Sequence, residues 1–62
     1  MMRVVFFDKL RETYYAVGDV IQIDSCMVRI NGRLTSVWHL HKLGGGIESF
    51  KQKDFTIHRV EI

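Results

Sequence analysis

The chain has 62 residues, 47% of them apolar, and a net charge of +2 from nine lysines and arginines against seven acids. This apolar content excludes a disordered segment, and the length predicts a single small domain, 1–62, of marginal stability. The basic residues are few and scattered, which is not by itself a nucleic-acid signature, and no apolar run is long enough to cross a membrane.

The first predicted element is a strand over 2–7, which is apolar almost throughout. Such strands are covered on both faces, here by the domain itself or partly by a partner chain. A charged loop or single helical turn over 8–12 leads into a second strand over 13–17. We expect a hairpin with Phe6-Phe7 near Tyr14-Tyr15, whose rings pack in the core and across the strands rather than stacking on bases.

The next stretch predicts a turn and then a bent strand. Gly18-Asp19 is the turn. The apolar residues between 20 and 28 are odd-numbered at first and even-numbered from Cys26 onward, so a regular strand cannot point all of them inward. We therefore expect a bulge at Asp24-Ser25, where short polar side chains suit irregular backbone. Cys26 would then be a core residue, and a lone cysteine favours a reducing, cytoplasmic compartment.

Asn31-Gly32, between two apolar-rich runs, is the strongest local signal in the chain, because both residues tolerate positive φ. A two-residue turn would pair Val28 with Thr35, on a polar face. A three-residue loop over 30–32, with a left-handed glycine as a bulge, would pair Val28 with Leu34 instead. We expect the second register, because it buries more apolar side chains.

This register has two consequences. The core face of the hairpin would hold Cys26, Val28, Leu34, Trp38 and Leu40. On the other face Arg29 would stand directly opposite Arg33, where like charges repel by about 0.2–1 kcal/mol. We expect the two guanidinium groups to point apart into water, which relieves the repulsion. Neighbouring acids or an anionic partner are the alternative ways to neutralise them.

The remainder of the chain predicts two more strands. Gly44–Gly46 form a loop, 47–53 is an extended segment or one helical turn, Asp54-Phe55 is a turn, and 56–62 is the last strand. Short strands separated by turns predict an all-β domain. We expect a small SH3-like, alternatively OB-like, five-stranded antiparallel barrel with Asn31-Gly32 at the tip of its central hairpin.

The sequence gives little support for a catalytic site or a metal site. His39 and His41 share a strand face, and His58 is a possible third ligand, but no cysteine or acid stands at a matching spacing. No surrounding sequence marks a serine or cysteine as a nucleophile, and so small a barrel has little room for a substrate pocket. We expect a non-enzyme with no metal, no cofactor and no small-molecule substrate.

Two binding hypotheses remain. The first is a small regulator or accessory protein that acts by protein contact, including self-association. The alternative is a nucleic-acid-binding barrel that holds single strands or phosphates on the Arg29/Arg33/His39/His41 face. Protein contact ranks first, because the charge is low and this face lacks an exposed aromatic ring. No membrane partner is expected, and the candidate binding residues are Arg29, Arg33, Met27, Val37, His39, His41 and Lys42.

Overall fold

The computed structural model describes all 62 residues and contains five antiparallel strands in one sheet, with no helix. The strands are β1 (Met2–Asp8), β2 (Thr13–Ile30), β3 (Arg33–Lys42), β4 (Ile47–Lys51) and β5 (Phe55–Glu61). Their order across the sheet is β4-β3-β2-β1-β5. The predicted all-β class and the five strands are therefore confirmed, and the sheet is open, with β4 and β5 as its two edges.

The first hairpin forms as predicted, with Phe6 opposite Tyr15 and Phe7 opposite Tyr14. Its turn is stabilised by Asp8, whose Oδ1 accepts hydrogen bonds from the backbone N–H groups of Leu10 at 3.0 Å and of Arg11 at 3.2 Å. A short carboxylate that bonds to nearby backbone in this way is a common turn device. The turn places β1 between β2 and β5, where it is the best-buried strand of the sheet.

The predicted turn at Gly18-Asp19 is wrong, because β2 continues through it as one strand of 18 residues. Asp19 has a φ of 55°, and here two residues of β2, Gly18 and Asp19, stand opposite the single residue Arg3 of β1, which is a bulge. A second register shift, against β3, lies between Val20 and Gln22. The bulge predicted at Asp24-Ser25 is also wrong, since pairing with β3 is regular from Gln22 to Ile30.

The turn at Asn31-Gly32 is confirmed, but the three-residue loop is wrong. Ile30 pairs directly with Arg33, so only two residues connect β2 and β3. Asn31 has a φ of 51° and Gly32 a φ of 78°. With both central residues at positive φ, the twist of the turn matches the twist of the strands, which favours this connection over a longer loop.

The shorter turn moves the register by one residue. Val28 pairs with Thr35 and Arg29 pairs with Leu34. Because successive side chains of a strand point to opposite faces, Arg29 and Arg33 lie on opposite sides of the sheet. The predicted pairing of two arginines is therefore wrong, and the repulsion that it implied is absent.

One face of the sheet, called the inner face here, carries the core. Its buried residues are Val4, Phe6, Val17, Val20 and Leu40, with Trp38, Ile23, Phe50, Phe55, Ile57 and Met2 packed against them. Cys26 and Val28 lie on the opposite, outer face, so their predicted place in the core is wrong. The outer face has buried residues of its own, Val5 in β1 and Val37, which pairs with Cys26.

The sheet is curled, and three aromatic rings link its two edges: β4 pairs with neither β1 nor β5, but its Phe50 contacts rings of both. The ring of Phe6, in β1, stacks on Phe50 of β4 with centroids 4.4 Å apart and meets Phe55 of β5 edge-on at 6.0 Å. Phe50 and Phe55, from the two edge strands, are themselves 5.2 Å apart. The three rings therefore bring the edges of the open sheet toward each other over the inner face.

The last connections are short turns. Gly44 and Gly45 have φ values of 96° and 101°, and the N–H of Lys42 donates to the carbonyl of Gly46 at 2.7 Å.

Ile47–Lys51 is a strand, so the helical-turn alternative for this segment is wrong. The structure contains no helix with the length and apolar character that a membrane crossing requires.

Candidate functional site

The observed register divides the seven predicted binding residues between two faces. Arg33, Val37, His39 and His41 lie on the outer face, and Met27, Arg29 and Lys42 lie on the inner face. The single contact surface predicted from the sequence therefore does not form. Its premise was the three-residue loop, and a shift of one residue turns every side chain of one strand to the other side.

Three of the predicted residues are engaged within the chain. Arg29 donates from Nη1 to the carbonyl of Gly32 at 3.1 Å, and Lys42 donates from Nζ to Glu48 at 3.2 Å. Val37 is buried, with 1% of its surface exposed. Val37 and Lys42 are therefore not presented as the sequence suggested, whereas Arg29 is exposed and keeps further N–H donors.

The predicted histidines belong to a polar cluster on the outer face of β2 and β3. Nε2 of His41 donates to Oδ2 of Asp24 at 2.7 Å, and Gln22 donates from Nε2 to the other carboxylate oxygen at 2.9 Å. One step along the sheet, Sγ of Cys26 lies 3.2 Å from Nδ1 of His39. Asp24 and His39 face each other directly across the two strands.

These contacts change the acidity of Asp24. The hydrogen bond from Gln22 is the largest effect and the bond from His41 the second, and together they hold the pKa of the Asp24 carboxyl below its ordinary value of 3.8. Both bonds favour the ionised form, because an ionised carboxylate accepts hydrogen bonds at both oxygens. Asp24 is thus a fixed negative charge beside two histidines.

The cluster does not form a catalytic triad or a metal centre. A nucleophile activated by histidine needs a third group that orients the imidazole, and the Asp24 carboxylate is bonded to His41 rather than to His39, the partner of Cys26. Nowhere in the chain do three His, Cys, Asp or Glu side chains converge on a position suited to a metal ion. The cluster joins two strands, and its polar groups are largely bonded to one another.

The tip of the β2–β3 hairpin is a second feature of the surface. β1 covers β2 only as far as Val20, and β4 covers β3 only from Val37 onward. Residues 27–36, called the arm here, therefore form a two-stranded ribbon that extends beyond the neighbouring strands. Isolated two-stranded ribbons are marginally stable in water, so the arm depends on the contacts at its base.

The arm is both apolar and basic. Met27 and Leu34, diagonal neighbours on its inner face, are 60% and 61% exposed. Its charged residues are Arg29 and Arg33, and it contains no acid. A shallow groove beside β3 runs from Arg33 along the strand to Lys53, which adds a third positive charge.

A third feature lies at the other end of β2, on the outer face, and was missed by the sequence analysis. We call it the Tyr14 groove. It is lined by Arg3, Val5, Tyr14, Ala16, His58 and Arg59, from strands β1, β2 and β5. Tyr14 was expected to pack in the core and across the strands; its ring does pack on Phe7 of the neighbouring strand, but the residue is 63% exposed.

A sequence signal for part of this groove existed. The first hairpin was predicted with Phe6-Phe7 near Tyr14-Tyr15, and the observed pair Phe7–Tyr14 has Val5 and Ala16 on the same face, two residues away on each strand. The contribution of β5 had no comparable signal, because its place beside β1 is set by a long-range pairing. The β-rich composition of 56–62 predicts a strand but does not indicate which strand it pairs with.

Comparison of the chain with models of protein families, with curated proteins and with solved structures finds no match.

Proposed function

We propose that the chain is a non-enzymatic binding module, a small regulator or accessory protein that acts by protein contact and in its simplest form contacts a second copy of itself. The observation that carries this proposal is the arm, which holds Met27 and Leu34 in solvent beyond the rest of the sheet. Exposed apolar side chains on a projecting element gain free energy when a partner covers them.

The alternative contact surfaces of the sheet are less suitable. Open edge strands can pair with another chain, but charged side chains on an edge oppose such pairing. The edge strand β4 carries Glu48 and Lys51, and the edge strand β5 carries Arg59 and Glu61. The arm has no such mixed-charge protection, and Met27 and Leu34 stand exposed on its inner face, outside the part of that face that the core covers.

The composition of the arm indicates the chemistry of its partner. Methionine and arginine are enriched in protein interfaces, and the arm offers Met27 with Arg29 and Arg33. Because the arm has positive charges and no acid, a complementary surface has an apolar centre with acidic residues around it. Acids at the surface of a second copy, such as Glu12 and Asp19, offer this charge to the arm.

Sedimentation velocity over a range of concentrations tests self-association. The double variant M27S/L34S removes the apolar centre of the arm, and I21S/I47S is the matched control, because Ile21 and Ile47 are similarly exposed outside it. We expect the wild type and the control to associate with rising concentration, whereas M27S/L34S stays monomeric.

A wild-type chain that is monomeric at every concentration excludes self-association. Contact with a different protein is then tested by photo-crosslinking from position 27 in the native host. A partner captured by the wild type and by I21S/I47S, but not after replacement of Leu34 by serine, supports the proposal. Equal capture with and without that replacement contradicts it.

We also propose that the curled sheet is an incompletely closed form of the small SH3-like barrel, with an OB-like barrel as the alternative. The approach of Phe50 in β4 to Phe55 in β5 supports this, because a modest movement of the edges would complete a barrel around the same aromatic core. A reducing, cytoplasmic location is proposed on the single cysteine alone.

We rank the alternative function, nucleic-acid binding on the Arg29/Arg33/His39/His41 face, below protein contact, because these four residues do not share one face. Arg29 lies on the other side of the sheet from the remaining three residues, and His41 is bonded to Asp24. The combination of arginine with an exposed aromatic ring occurs at the Tyr14 groove instead.

A further inference from the structure

The Tyr14 groove combines a shallow cavity with a floor of small apolar side chains. Its volume is about 350 Å³, at the small end of the range for ligand sites. Val5 of β1 and Ala16 of β2 pair with each other and form the floor. Side chains of three different strands form the walls, so the groove exists only in the folded sheet.

Two arginines are held together at one side of the groove. Arg3 donates from Nη1 to one carboxylate oxygen of Glu61 at 3.2 Å, and Arg59 donates from Nε to the other oxygen at 2.8 Å. The local net charge is positive, because the single carboxylate of Glu61 neutralises only one of the two guanidinium charges. Each arginine keeps further N–H donors, and both side chains are more than half exposed. The pair is thus arranged to bind an anion such as a phosphate.

An aromatic row stands beside the arginines. The ring of Tyr14 lies 5.3 Å from Phe7 on one side and 4.9 Å from His58 on the other, measured between centroids. These neighbours fix the position of the Tyr14 ring and leave most of its surface in solvent. A fixed, exposed aromatic ring is a platform on which a nucleobase can stack.

From this arrangement we infer that the Tyr14 groove binds a nucleotide unit of a single-stranded nucleic acid. The base stacks against Tyr14 and His58, and the adjoining phosphate accepts hydrogen bonds from Arg3 and Arg59. In a duplex the bases are stacked on one another, so they cannot stack on the Tyr14 ring. An acidic peptide would bind the arginines but would make no stacking contact with the aromatic row. The inference goes beyond the proposed protein contact, because the arm and the groove lie at opposite ends of β2.

Fluorescence-polarisation titrations with a labelled single-stranded oligodeoxythymidine and with the matching duplex, at low and at physiological salt, test the inference. We expect the wild type to bind the single strand more tightly than the duplex, and more weakly as salt rises. R3Q/R59Q should weaken binding at least tenfold. Y14L should weaken it by about fivefold to a hundredfold, which is the usual loss for one stacked base.

The matched control is R29Q/R33Q, which removes the same number of positive charges from the arm. It should change the affinity by less than twofold. As a second measurement, NMR chemical shifts should move at Tyr14 and His58 on addition of the oligonucleotide. They also show whether each variant is folded, so that a loss of binding is not confused with a loss of structure.

Four results would overturn the inference: no binding at low salt, equal affinity for single strand and duplex, equal losses in R3Q/R59Q and R29Q/R33Q, and an unchanged affinity in Y14L. Competition by an acidic peptide as strong as that by the oligonucleotide would also reject it in favour of a peptide site. Because M27S/L34S leaves the groove intact, this variant should bind the oligonucleotide normally even where the arm has lost its own partner.

Discussion

At the scale of single residues, Asp24 shows how the outer face is held together. Its two carboxylate oxygens are bonded to Gln22 on its own strand and to His41 on the next strand. The carboxylate is 43% exposed, so water screens these interactions and their effect on stability is small. Their direction is nevertheless defined, because both bonds favour the ionised form of the carboxyl group.

The dependence of stability on pH tests this arrangement. The pKa of Asp24 is lower in the folded than in the unfolded chain, so its contribution is present above the ordinary value of 3.8 and is lost as the pH falls through the folded value. We expect the wild type to be more stable than D24N at neutral pH, and the difference to shrink in acid. Thermal unfolding at a series of pH values measures this.

Asp19 provides the matched control for this experiment. It is exposed, its side chain makes no hydrogen bond, and asparagine tolerates its positive φ. D19N should therefore follow the wild type at every pH. A constant difference between D24N and the wild type down to strong acid would contradict the role given to Asp24.

At the scale of elements, the hairpin of β2 and β3 decides which side chains share a surface. Its turn could be predicted from Asn31-Gly32 alone, because the conformation is a property of those two residues. The register could not be predicted in the same way, because the choice between the two registers depended on which one buries more apolar side chains. The folded hairpin instead buries Val37 on the outer face and leaves Leu34 in solvent, so the assumption of one apolar and one polar face fails.

The same limit explains the other differences along β2. Gly18-Asp19 has the composition of a turn, but pairing with β1 on one side and then β3 on the other carries the strand through it as a bulge. The strand β1 and its pairing with β2 were predictable, since the connection is short and the apolar run is clear. The Tyr14 groove was not predictable, because β5 reaches it from the far end of the chain.

Glycine substitutions test the turn. Gly32 has a φ of 78°, and a Cβ at this position would meet no other atom, so only backbone strain opposes a side chain. G32A should lower the free energy of unfolding by about 1–2 kcal/mol. Urea denaturation followed by the fluorescence of the single tryptophan, Trp38, measures the loss.

Gly18 is the control for that substitution. It also has open space around it but no positive φ, so G18A should be neutral or stabilising by about 0.4–1 kcal/mol, through a smaller entropy of the unfolded chain. If G32A proved as harmless as G18A, the two-residue turn with its left-handed glycine would be wrong.

At the scale of the whole molecule, the chain is a thin curled sheet, 34 × 28 × 13 Å in extent, with 8 of its 62 residues buried. A chain this small has little stability to spare. Its edges are drawn together by Phe50 of β4, whose ring contacts Phe6 of β1 and Phe55 of β5 although β4 pairs with neither strand. These three rings substitute for the hydrogen bonds that a closed barrel would have.

Removal of the central ring should therefore affect the entire sheet. F6A is expected to lower the free energy of unfolding by about 3–5 kcal/mol, which is enough to unfold much of the chain. Urea denaturation and the dispersion of the NMR spectrum report the outcome. F7A should cost markedly less, because Phe7 is half-buried and its ring packs on Tyr14 at the surface. Equal losses in the two variants would contradict the central place of Phe6.

The two proposed surfaces lie at opposite ends of the molecule. The arm, at one end of β2, offers exposed apolar side chains and positive charge to a protein, whereas the Tyr14 groove, at the other end, offers a ring and two arginines to a nucleotide. Each uses residues that the other does not touch, so both can be occupied in one molecule. The arm depends on the pairing of β2 with β3, and the groove depends on the pairing of β1 with β2 and with β5. The pairing that forms the arm is the one on which the sequence prediction and the structure differ.

Cross-strand nuclear Overhauser effects in the isotope-labelled chain measure that pairing directly. The structure predicts contacts between the backbone protons of Arg29 and Leu34 and between those of Val28 and Thr35. Contacts of Arg29 with Arg33 and of Val28 with Leu34 would show the three-residue loop instead. They would place both arginines on one face and contradict the arm as described above.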